Sequence, residues 1–88
     1  MRLIKEFKWC RQYDIEQVEI DYDLSNKHVI IHRAKSIRKI KHMFEVIKWA
    51  RQFPEYRKVF SKNALYYIWK WLRFNWNRST GGVDYLKF

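Results

Sequence analysis

Eighty-eight residues, 48% hydrophobic and 19% aromatic with two Gly and one Pro, are enough for one modest core and exclude a largely disordered or low-complexity chain. Nineteen Lys and Arg against nine Asp and Glu leave +10, an excess that fits a polyanionic partner or plain solubility. The single cysteine, Cys10, excludes an intramolecular disulfide and a multi-cysteine zinc site, which fits a reducing compartment.

In chain order, Leu3, Ile4, Phe7 and Cys10 carry helical spacing, with a strand as the competing reading of Leu3 to Tyr13. The opening has no long apolar region behind it, so no secretory signal is expected. Val18, Ile20, Tyr22 and Leu24 alternate with Glu19, Asp21 and Asp23, which predicts a half-buried strand. Ser25-Asn26-Lys27 supplies a turn and His28 to Arg33 the returning strand. Either His28, Ile30 and His32 or Val29, Ile31 and Arg33 face solvent there. Ser36 is the expected N-cap of a helix. That helix has Ile37, Ile40, Met43, Phe44, Ile47 and Ala50 on its apolar side and runs to Phe53. Pro54 limits it and opens a short helix to Phe60. Ser61 or Asn63 caps a third helix through Trp76. Residues 77–82 are the clearest loop, and Val83 to Phe88 reads as a last short strand.

These elements predict a single α+β domain over residues 1–88. A small antiparallel sheet, the hairpin plus the C-terminal strand, is covered on one face by two or three helices. The element order is similar to the type II KH arrangement. The Gly-x-x-Gly loop of that family is missing, since Gly81 and Gly82 are adjacent and follow the helices. No family is assigned on this basis.

Charge is unevenly placed. Residues 1–26 hold four bases and six acids, while residues 27–88 hold fifteen bases and three acids. On a helical wheel Arg38, Lys41, Glu45, Lys48 and Gln52 share one arc, with His42 and Trp49 on one side and Arg51 on the other. Lys35 and Lys39 extend it. Such a face binds phosphates through Coulomb attraction and counterion release, and it is equally what a solvated helix face looks like. Tyr66, Tyr67, Trp69, Trp71, Phe74 and Trp76 are interleaved with Lys70, Arg73 and Arg78. Rings among cations fit single-stranded nucleic acid, where bases stack on the rings. The competing reading is core, expected first of Trp69 and Leu72 and less of Trp71, Phe74 and Trp76.

Glu19, Asp21 and Asp23 can in principle take a divalent metal, but the wet face of a strand is the preferred reading, and no metal or cofactor is expected. His28 and His32 lie about 13 Å apart along a regular strand, too far to share an ion without a third element. Arg78-Ser79-Thr80-Gly81-Gly82 lacks the spacing and lysine of a P-loop. No catalytic motif is present, and the chain is expected not to be an enzyme.

The leading expectation is a small basic nucleic-acid-binding protein, RNA favoured, acting as a regulator or accessory factor. Lys35, Arg38, Lys39, Lys41, Lys48, Arg51, Arg73 and Arg78 would hold phosphates, and Trp49 or Trp76 would stack on bases. The rival is a protein inhibitor that docks on a host enzyme through Trp, Tyr and Arg anchors. A hybrid would neutralise a nuclease or toxin together with RNA. The abundance of Lys, Ile, Tyr, Phe and Asn is that of an A/T-rich genome such as a virus. Self-association through the acidic strand and peripheral membrane binding through residues 66–76 are the remaining partner readings. A membrane span is not expected, and the expected location is the cytoplasm, that of the host if the source is viral.

Overall fold

Alternation decides the sheet. In the computed structural model, which describes residues 2–23, 25, 28–76 and 85–87, β2 (Val18–Asp23) pairs antiparallel with β3 (His28–His32), with Ile20 opposite Ile31 and Tyr22 opposite Val29. Val18, Ile20, Val29 and Ile31 are all buried, and His28, Ile30 and His32 take the other face. This settles the facing of β3, because only that register puts both β-branched pairs in the core.

β1 (Arg2–Lys5) pairs antiparallel with β2, and β4 (Tyr85–Lys87) with β3. The sheet therefore runs β1-β2-β3-β4, each strand beside its neighbour in the chain. The fold is α+β as expected, with one more strand than the hairpin and C-terminal strand alone. The opening segment is strand first and 3-10 helix second (Lys8–Tyr13). Its apolar spacing is shared between the two: half-buried Leu3 belongs to β1, while Phe7, Trp9 and Cys10 enter the core from the turn that follows. Asp14 ends that turn in left-handed backbone at φ 57°, a conformation Asp tolerates.

Ser36 does not cap the first long helix. Arg33, at φ 63°, starts a 3-10 turn over Ala34–Ser36, and Ile37 is then extended, with its side chain in the core. The helix α1 (Ile40–Ala50) begins only at Ile40, with Lys39 at its N-cap and no side-chain cap. It ends at Ala50, three residues before Phe53. Its buried side is His42, Met43, Val46, Ile47, Trp49 and Ala50, so Ile40, expected inside, lies out and Trp49 lies in. Pro54 opens α2 (Pro54–Val59) in the first turn as expected, since its missing N–H costs nothing there. Asn63 caps α3 (Ala64–Trp76): its Oδ1 accepts from the Leu65 N–H at 2.9 Å and its carbonyl from the Tyr66 N–H.

The helices cover one sheet face. Fully buried Ile20, Ile31, Met43, Ile47, Tyr56 and Phe60 form the centre of the core, each removing apolar surface worth about 1.5–3 kcal/mol from water. Two polar ties cross it. The Tyr56 hydroxyl donates to the Ile20 carbonyl at 3.1 Å, joining α2 to β2, and Trp71 Nε1–H donates to the Ala34 carbonyl at 2.9 Å, joining α3 to the turn before α1. Of the expected turn, Ser25 is described, its N–H bonded to Asp23 Oδ1 at 3.0 Å. Asn26, Lys27, the loop 77–82 with Arg78, and Val83 and Phe88 lie outside the described residues. So does the side chain of Trp76.

Candidate nucleic-acid interface

The amphipathic pattern of α1 leaves its outer side cationic. Arg38, Lys39, Lys41 and Lys48 are all exposed, and among the described residues none of the four forms an ion pair. The only acid on the arc, Glu45, is turned onto Trp9, whose Nε1–H donates to its Oε2 at 2.9 Å. The first turn of α1 holds no acid and its N-cap no side-chain acceptor. The positive end of the helix dipole therefore adds to three cations instead of being neutralised. This arrangement costs helix stability and raises the local positive potential.

Other expected contacts fall elsewhere. Trp49 is 8% exposed and meets Phe7 and Phe53 edge-on, so it is core and not a stacking platform. Arg51 is a structural clamp: Nε–H donates to the Phe60 carbonyl at 3.1 Å, and the same guanidinium reaches the Lys62 carbonyl. A cation that finishes two carbonyls at the end of α2 is not free for phosphate. Lys35 is half-buried and belongs to the 3-10 turn, not to α1. His42 is buried, stacked on Trp9 at 4.6 Å, and shares a 3.0 Å hydrogen bond with the Tyr13 hydroxyl. Burial holds its pKa below the usual histidine value; Glu45 opposes this, while Lys41 and Lys39 add to it.

The third helix reverses the expected assignment of tryptophans. Tyr67, Ile68 and Trp71 are buried, with Ala64 and Leu72 packed beside them, an i, i+3, i+4 stripe. Trp71 is 3% exposed, whereas Trp69, expected in the core, is 61% exposed and Leu65 63%. The exposed Arg73 follows Trp69 by four residues, on the same side of the helix. Lys62 and Lys70 flank Tyr66, their ammonium groups 4.3 and 5.1 Å from the ring centroid.

The sheet face away from the helices carries carboxylates instead. Arg2 bonds Glu19 and lies 3.9 Å from Asp21, and His32 Nε2–H donates to Asp21 Oδ2 at 2.7 Å. The hydrogen bond from Arg2, then that from Gln17, holds the Glu19 carboxyl below the usual range. Glu19, Asp21 and His32 offer three ligand atoms within 4.8 Å of one another. The chain's own cation, Arg2, already bridges the two carboxylates.

Searches of protein-family models, curated proteins and solved structures find no match to this chain. No helix among the described residues is long and apolar enough to cross a membrane.

Trp69, Tyr66 and Lys62 were not among the residues expected to bind, Trp69 being expected in the core. On the wheel of α3 two apolar arcs overlap, one with Trp69 and one with Trp71. The indole N–H of Trp71 has a buried carbonyl to bond, and that partner lies thirty-seven residues away, so no local pattern announces it. The aromatic side of α1 was equally hidden, since Trp49 and His42 flank the basic arc in sequence but meet Phe7 and Trp9 from another element.

Proposed function

We propose that this chain is a small non-enzymatic nucleic-acid-binding protein, RNA favoured, that grips phosphates along the outer side of α1. The observation that carries the reading is the row Arg38, Lys39, Lys41 and Lys48, exposed and without ion pairs among the described residues, while Glu45 is drawn onto Trp9. Exposed aromatic surface beside cations on α3 favours RNA, whose single strands present unstacked bases.

The test is affinity for a labelled oligonucleotide across salt concentration. Four phosphate contacts predict a log–log slope of about −3 for a single strand, at about −0.7 per contact. Replacing Lys41 and Lys48 by Gln should flatten it by about 1.4. A flat response of the unaltered protein, or an unchanged slope in the double variant, refutes the proposal.

A second reading, a protein inhibitor docking on an enzyme, is favoured by Leu65 and Trp69, large apolar side chains left in water. It predicts a stoichiometric complex that survives nuclease treatment.

A further inference from the structure

The segment from Ser61 to Arg73 contains Lys62, Lys70 and Arg73 and no acid. Lys62 is fixed through its backbone. Its N–H donates to the Tyr67 hydroxyl at 3.1 Å, its carbonyl accepts from Arg51, and the Tyr67 hydroxyl in turn donates to the Val59 carbonyl. The Lys62 and Lys70 ammonium groups lie 4.3 and 5.1 Å from the centroid of the same Tyr66 ring, and Tyr66 acidity is raised, first by hydrogen bonding from Lys70 and then by the two charges. Two like charges held at one phenol repel each other unless an anion joins them. Trp69 follows Tyr66 by three residues, so the two rings are neighbours on the helix surface, and Leu65 and Arg73 lie one turn to either side of Trp69.

We propose that this face of α3 binds one nucleotide of a single strand, with its phosphate between Lys62, Lys70 and the Tyr66 hydroxyl and its base on Trp69. The inference rests on the nucleic-acid reading of α1 and adds strand selectivity to it. The two ammonium groups and the phenol O–H supply convergent donors to the phosphate oxygens. Trp69 supplies an exposed indole, to which any unpaired base can stack whatever its identity. A duplex offers the phosphate but not the base face, because its bases already stack on one another. Arg51, expected as a phosphate ligand, is instead a positioning residue, because it fixes the carbonyl of Lys62.

The experiment is fluorescence anisotropy with dye-labelled oligouridylate, and with the same strand annealed to oligoadenylate. It compares the unaltered protein with Trp69→Ala, Trp69→Phe, Lys62→Gln/Lys70→Gln and Lys41→Gln/Lys48→Gln. All five altered side chains but Lys70 are exposed, and far-UV circular dichroism checks that each variant keeps its fold. Trp69→Ala is expected to weaken single-strand binding about tenfold or more, Trp69→Phe to recover most of it, and duplex binding to change less than twofold. Lys62→Gln/Lys70→Gln is expected to flatten the single-strand salt slope by about 1.4. If the α3 variants bind like the unaltered protein while Lys41→Gln/Lys48→Gln weakens binding, the α3 site is overturned and the α1 reading stands. Equal losses on single strand and duplex overturn the strand selectivity. No binding by the unaltered protein overturns both.

Discussion

Replacing Tyr56 by Phe removes one oxygen atom from a fully buried ring and little else. Tyr56 is 1% exposed, and its hydroxyl donates to the Ile20 carbonyl inside the core. Losing that bond, and leaving the carbonyl short of a donor, should cost about 1–2 kcal/mol at pH 7. With a urea dependence near 1 kcal/mol per molar for a chain of this size, the midpoint should fall by roughly 1–2 M. Unfolding is followed by tryptophan fluorescence, which Tyr56 does not itself supply. The same hydroxyl makes a second, independent expectation. Burial first, then the charges of Asp21 and Glu55, push the phenol from 10.0 up to about 12. The folded protein therefore keeps this proton where the unfolded chain has lost it. The stabilisation is complete below pH 10 and falls as pH rises toward 12, by roughly 1.4 kcal/mol at pH 11. Phe has no proton to lose. The difference between the two proteins should therefore shrink above pH 10 and close near pH 11. Equal midpoints at pH 7, or a difference that stays constant from pH 8 to pH 11, would refute the packing of α2 on β2 described above.

Lys39→Asp places a good N-cap and a negative charge at the bare start of α1. It should raise stability by about 1 kcal/mol, or roughly 4–8 °C in Tm, while weakening oligonucleotide binding; thermal melts and anisotropy measure the two effects on one sample. Trp71→Phe should cost about 2 kcal/mol through the lost bond to Ala34 and the space left behind, and Trp69→Ala under 0.5 kcal/mol. Thermal melts that ranked these two variants in the reverse order would show that α3 is rotated.

The sheet was legible because it obeys a period of two with a charged residue at every second position of β2. A slip by one residue would have buried three carboxylates, so no competing register was available. Pro54 and Asn63 were legible for local reasons, since each acts on its own backbone. Ser36 failed because a residue with capping chemistry also suits a tight turn, and Arg33 upstream had already turned the chain. The basic row of α1 was readable from spacing, but its limits were not. Arg51 and Trp49 flank the exposed arc, and only the neighbouring α2 and the opening 3-10 turn claim them. Aromatic richness defeats wheel analysis in α3, because tryptophan is large enough to pass for core on either side.

Among the described residues the two faces of this molecule are charged differently. The helical side carries Arg38, Lys39, Lys41 and Lys48 outward without ion pairs among the described residues, and the strands present Glu19 and Asp21, both held by Arg2, on the far side. Charge placed this unevenly lets a field gradient turn a molecule before contact is made. Near a polyanion it would arrive helices first and leave a carboxylate-bearing back in solution. On the nucleic-acid reading proposed here, a particle with one adhesive side coats a strand without gluing two strands together. Adding such a protein in excess should saturate its target as discrete complexes, where an evenly cationic protein of equal charge would precipitate it.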